Sequence, residues 1–267
     1  MGLARSLVAK DPIHLAETFL RTLMKAPGVA IDRDEFLKTE LGKYYAPDVV
    51  RRMVTSTPSV AGADPRIIDA IARKAINREV NRASAMSFVA GVPGGLAMLG
   101  TVPADITQYY AHVLRIEQKL AYLYGWKSFF NGPSDGPVDD ETLGRLVLLL
   151  GVATGVANAN KVVAESAAVV VEKGLQQALQ ANVATRNALE SVVESILRQI
   201  GMELSRRGLG DSAAKVVPLL SGVVSGGLTY ATFKPCARRL QNHLRTLPQA
   251  RGYVEPLLTT ASYGAFR

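Results

Sequence analysis

Apolar residues recur three and four positions apart along most of this chain, and no segment alternates apolar with polar residues at a spacing of two. That pattern predicts an all-α fold. Caps and prolines mark where the helices begin. Asp11-Pro12 opens a helix carrying Leu15, Phe19, Leu20 and Leu23 that ends near Pro27-Gly28. Asp32 with Glu35 opens a second, Pro47-Asp48 a short third, and Asp64-Pro65 a long basic one through Ile68, Ile71, Ala72 and Ala75. Another helix follows Pro103 and runs to about Tyr124. The loop 131–137, NGPSDGP, forbids helix, and Asp139 to Glu141 caps the next one. The strongest periodicity is Leu189, Val192, Val193, Ile196, Leu197, Ile200, which predicts a helix with one face in the core.

Three stretches without a charge interrupt this pattern: Ala83 to Ala104, Leu146 to Asn160 and Val216 to Phe233. At 1.5 Å per residue they would extend roughly 33, 22 and 27 Å as helices, against a hydrocarbon core of about 30 Å. Composition argues against insertion of the first, which carries Pro93, Pro103 and several glycines among few large apolar residues. Each stretch also holds a GxxxG: Gly91 and Gly95, Gly151 and Gly155, and Gly222 and Gly226 with Gly227 beside it. Glycine inside a helix costs about 1 kcal/mol relative to alanine, so these positions predict close helix approach within the chain or between copies of it. The expected architecture is a single helical domain of about 8 to 10 helices with glycine-rich apolar hairpins. Along the chain it divides into an N-terminal helical segment (1–64), a main helical body (65–247) and a C-terminal tail (248–267).

Basic residues abut the apolar stretches. Arg73, Lys74, Arg78 and Arg82 lead into the first, with only Asp69 and Glu79 opposing them; Lys234, Arg238, Arg239 and Arg245 follow the third with no acid between them. Such segments favour an anionic lipid surface, and Leu240, Leu244 and Leu247 offer the second an apolar face to lay on it. The ordinary alternative for both is a solvated helix face. Over 267 residues the net charge is +8 with 48% apolar residues, which excludes a disordered, collagen-like or disulfide-framed chain.

One cysteine, Cys236, and three dispersed histidines, His14, His112 and His243, provide no metal-ligand spacing. No nucleophile elbow or phosphate-binding glycine loop is present, so no metal, cofactor or catalytic residue is expected. The charges come without a zinc finger, a helix-turn-helix glycine turn or an aromatic platform, so no nucleic acid is expected either. The first residues lack the apolar run of a signal peptide, which predicts a protein of the cytosolic side.

Pro103-Ala-Asp-Ile, then Tyr109, Arg115 and Ala121-Tyr-Leu-Tyr-Gly-Trp, resemble the signature of the EcsC family of bacterial proteins. There a glycine-rich apolar stretch leads into a proline-alanine-aspartate helix that ends in a tyrosine-glycine pair. The segment 217–233, VPLLSGVVSGGLTYATF, is similar to that family's second glycine-rich segment. Trp126, Lys127 and Ser128 stand where the family often has an aspartate. The resemblance implies a largely helical protein of the bacterial inner membrane surface, working beside a membrane transporter, with no established catalytic residue.

Asp105, Gln108, His112, Arg115 and Lys119 are spaced 3, 4, 3 and 4, which places them on one stripe of one helix. This is either a solvated face or a polar seam inside the domain. In the second case Asp105, His112 and Arg115, with Tyr109 alongside, would hold a head group or a partner.

Overall fold

The structure, a computed structural model, describes residues 11–84, 102, 104–130, 138–165, 183–208 and 226–251. These form α1 (Pro12–Met24), α2 (Arg33–Leu41), α3 (Pro47–Thr55), α4 (Pro65–Ser84), α5 (Ala104–Leu123), α6 (Asp140–Thr154), α7 (Val183–Gly208), α8 (Gly226–Leu244) and a 3₁₀ turn, Pro248–Arg251. Residues 159–165 are also helical. The molecule is all-α, with no strand among the described residues. Gly91, Gly95 and Gly222, like most of the first and third uncharged stretches, lie outside them. Among the described residues no helix is long and apolar enough to cross a membrane.

The caps act where the sequence places them. Asp11 accepts from the Ile13 amide at 3.1 Å, Asp32 from Glu35 at 2.8 Å and Asp139 from Thr142 at 2.7 Å, each satisfying an amide the helix leaves open. Arg33 closes the opposite kind of end. Its guanidinium donates to the carbonyls of Val54 (2.7 Å), Ser56 (3.0 Å) and Trp126 (3.2 Å), fastening α2 to the end of α3 and to the turn after α5.

α5 lies at the centre. It packs against α4, α6, α8, α2 and α1, while α7 packs against α1 and α6. One hydrophobic core joins Phe19 and Leu23 of α1 to Leu240 and Leu244 of α8. The predicted stripe of α7 is buried at Leu189, Val192, Ile196, Leu197 and Ile200. The apolar side of α8 is spent in the same way: Leu240, Leu244 and Leu247 are buried in the core, which corrects the expectation that they lie on a lipid surface.

Among the described residues two glycines allow one helix to approach another closely, and one of them was not among the expected set. A Cβ on Gly151 would stand 2.3 Å from the Ile196 Cδ1 of α7, so this position does permit close helix packing. Gly155 does not work as its partner: with φ +80° it terminates α6 in the left-handed conformation, its amide bonding the carbonyl of Gly151 at 2.9 Å. Gly226 and Gly227 open α8. Among the described glycines the tightest approach is at Gly201, in the charged helix α7, where a Cβ would lie 1.8 Å from the Pro12 carbonyl oxygen of α1.

Backbone cannot swing aside as the end of an isoleucine can. Gly201→Ala is therefore expected to destabilise the protein by at least the upper end of the about 1–3 kcal/mol typical of overpacking, and Gly151→Ala by clearly less. Urea unfolding of the two variants checks the order; equal losses would disprove this account of the contacts.

Candidate functional site

α4 sorts its side chains by sign. Ile68, Ile71, Ala72, Ala75, Ile76 and Val80 face the core, and Arg66, Arg73, Lys74, Arg78 and Arg82 are exposed. Both acids within the helix turn inward. Asp69 accepts from the Tyr124 hydroxyl at 2.7 Å and faces Arg245 at 3.8 Å. Glu79, fully buried, ends up in the interface with α5.

The stripe on α5 meets Glu79 there. His112 Nδ1 is 2.9 Å from its carboxylate, Arg115 approaches through Nε at 3.2 Å and Nη2 at 3.3 Å, and Lys119 Nζ forms a direct ion pair with it. Arg82, one turn along α4, adds a contact at 3.6 Å. Burial alone would raise the Glu79 carboxyl. The His112 hydrogen bond and the charges of Lys119 and Arg115 outweigh it, holding the group far below the usual carboxylate range. Burial pulls the Lys119 ammonium down, and the Glu79 charge offsets this only in part. Three cations thus face one carboxylate.

A loop from α1 covers this cluster. Gln118 donates to the Val29 carbonyl at 3.1 Å and accepts from the Ile31 amide at 2.9 Å, and the Tyr122 hydroxyl donates to the Ile31 carbonyl at 3.2 Å. The loop thereby brings Gly28, φ +74°, over Arg115: a Cβ there would lie 3.3 Å from Nη1.

Of the residues expected in a polar seam, His112 and Arg115 come together, with Lys119 beside them. Tyr109 does not join them. It turns toward α8, its ring 6.3 Å from Phe233 and its hydroxyl 3.8 Å from the Cys236 thiol, and burial pushes both groups upward in pKa. Asp105 sits in the first turn of α5, and its side chain lies outside the described residues.

Among the basic residues expected to face lipid, Lys74 is exposed, donates to the Tyr44 hydroxyl at 2.7 Å and lies over the Tyr44 ring. Arg78 pairs with Glu40 of α2 at 2.6 Å, and Arg73 is exposed. On α8, Lys234 and Arg238 are half-buried, Arg245 is exposed, and Arg239 donates to the Ala153 carbonyl at the end of α6 at 2.8 Å.

Two acids were missed as important positions, and periodicity could have found both. Glu79 falls within the buried series 68, 71, 72, 75, 76, 79, 80. Glu117 continues Ile106, Tyr110 and Val113 on the side of α5 turned away from Glu79, is fully buried, and has neither carboxyl oxygen hydrogen-bonded. Burial raises its carboxyl well above the ordinary value. Among the described residues no group of three His, Cys, Asp or Glu side chains could hold a metal ion. Compared with protein-family models, with curated proteins and with solved structures, the chain gives no match.

The two acids should affect stability with opposite signs. Removing the charge with Glu79→Gln strands Arg115 and Lys119 and is expected to cost about 3 kcal/mol at neutral pH. The Glu79 contribution is full above its ordinary value of 4.5 and is lost as pH falls below it. For Glu117 the neutral form is favoured on folding, so stability is lost as pH rises through its raised pKa, and Glu117→Met should gain on the wild type between pH 5 and 9. Denaturant midpoints followed from below pH 4.5 up to pH 9 measure both. A Glu117→Met curve parallel to the wild type would contradict the burial argument.

Proposed function

We propose that the protein is a non-enzymatic, EcsC-like factor of the cytoplasmic face of the bacterial inner membrane. Basic faces of α4 and α8 bind anionic lipid, the glycine-rich apolar segments dock against the leaflet, and the protein assists transport or secretion beside a membrane transporter. The observation carrying this reading is the sorting of α4. Because Asp69 and Glu79 point inward, the outward face of α4 with Arg66, Arg73, Lys74, Arg78 and Arg82 carries no exposed acid of that helix; among the described residues only Arg78, through Glu40 of α2, and Arg82, through the buried Glu79, reach a carboxylate. That face runs toward the uncharged segment beginning at Ala83. Cations near an anionic leaflet contribute about 1 kcal/mol each, and an adjoining apolar segment adds burial that salt does not screen.

Purified protein should co-sediment with vesicles rich in phosphatidylserine and far less with phosphatidylcholine alone, more weakly but still measurably at high salt. Arg73→Gln with Lys74→Gln removes two exposed charges of α4 and should weaken binding by about 2 kcal/mol, roughly thirtyfold. Equal binding to both vesicle types overturns the reading. Protein that ignores vesicles and stays monomeric without detergent would point instead to a helical carrier for an apolar ligand.

A further inference from the structure

An open cavity of about 530 Å³ lies between the outer side of α8 and the segment after α6. Its α8 wall is formed by Pro235, Arg238, Arg239, Asn242 and His243, which follow one another at helical spacing and so share a single face; Thr246 lies just past the helix end, and Asn160 closes the other side. Apart from Pro235, each of these side chains carries a hydrogen-bond donor or can present one, and among the described residues no carboxylate lines the space.

Arg239 is held in place by its bond to the Ala153 carbonyl and by the bare backbone of Gly155, where a Cβ would lie 2.8 Å from its Nη1. Neither Arg238 Nε nor His243 Nε2, both shielded from solvent, makes a hydrogen bond. Buried polar atoms left without partners cost about 1–3 kcal/mol each, and both belong to side chains that line this space.

We propose that this cavity binds a phosphate monoester, either the head group of a lipid or a small free ester. A planar carboxylate is satisfied by one guanidinium fork. A tetrahedral dianion takes donors from several directions, which two guanidinium groups, an imidazole, two amides and a hydroxyl around one space supply. The volume exceeds a phosphate and leaves room for a small polar body attached to it. Among the described residues no flat aromatic ring lines the cavity to stack a base, which sets nucleotides below phosphorylated polyols. The site does not require the membrane reading, because a soluble ester would occupy the same donors.

The test is calorimetric titration of the full-length protein with inorganic phosphate and with glycerol 3-phosphate, against acetate and chloride at matched ionic strength. Saturable binding of both phosphates, at least tenfold stronger than acetate, is expected. Arg238→Gln and His243→Asn should each weaken it at least tenfold. Asn242→Asp, an exposed position whose replacement should not disturb folding, should do the same by placing a carboxylate in the cavity wall.

Arg73→Gln with Lys74→Gln should leave phosphate binding unchanged while weakening binding to phosphatidylserine vesicles, so the two proposals fail independently. Phosphatidic acid vesicles that lose the Asn242→Asp protein, and release the wild type to glycerol 3-phosphate, identify a lipid head group. Tight vesicle binding by Asn242→Asp together with lost glycerol 3-phosphate binding identifies a free ester. Binding of phosphate no stronger than acetate, or unchanged in Asn242→Asp, overturns the proposal.

Discussion

α5 has almost no side turned to water, yet it carries a histidine, an arginine, a lysine, two glutamines and a glutamate between residues 108 and 119. A helix so placed must find partners for those groups inside the protein, because an unpaired buried charge costs several kcal/mol. Much of the architecture answers that demand. α4 brings Glu79 to His112, Arg115 and Lys119, and the loop after α1 is held to Gln118 and Tyr122. Glu117 is the exception. It stays buried with neither carboxyl oxygen hydrogen-bonded, and burial raises its carboxyl well above the ordinary value.

The same demand shapes the surface. Drawing the carboxylate of Glu79 inward to neutralise α5 takes it away from the outer side of α4, and Asp69 is drawn inward by Tyr124 and Arg245. What remains outside is a row of cations on one helix. The charge asymmetry on which the functional proposal rests thus follows from a packing requirement at the centre of the fold. α8 shows the same division, with leucines in the core and Arg238, Arg239 and His243 around an open cavity.

Glycine shows why a short motif predicts less than the contact it stands for. Gly151 and Gly155 form a GxxxG, but the first lies against Ile196 while the second ends the helix with a positive φ. Gly201 has no glycine four residues away in either direction, yet α1 crosses there close enough that only a hydrogen atom fits. Close approach depends on which helices meet and where. That information is absent from the spacing of small residues along one of them.

The helices, their caps and much of the core were legible in the chain, because capping and amphipathic periodicity are local: Asp11, Asp32 and Asp139 act within three residues of themselves, and the stripe from Leu189 to Ile200 needs only to face inward. The stripe His112, Arg115, Lys119 was equally visible, but whether it faced water or the interior was not. Tertiary packing decided that, by setting Glu79 opposite it across some thirty to forty residues of sequence. It also decided that Leu240, Leu244 and Leu247 belong to the core rather than to a lipid surface. An apolar stripe states only that a face must leave water, and which surface receives it is settled by the helices that pack there.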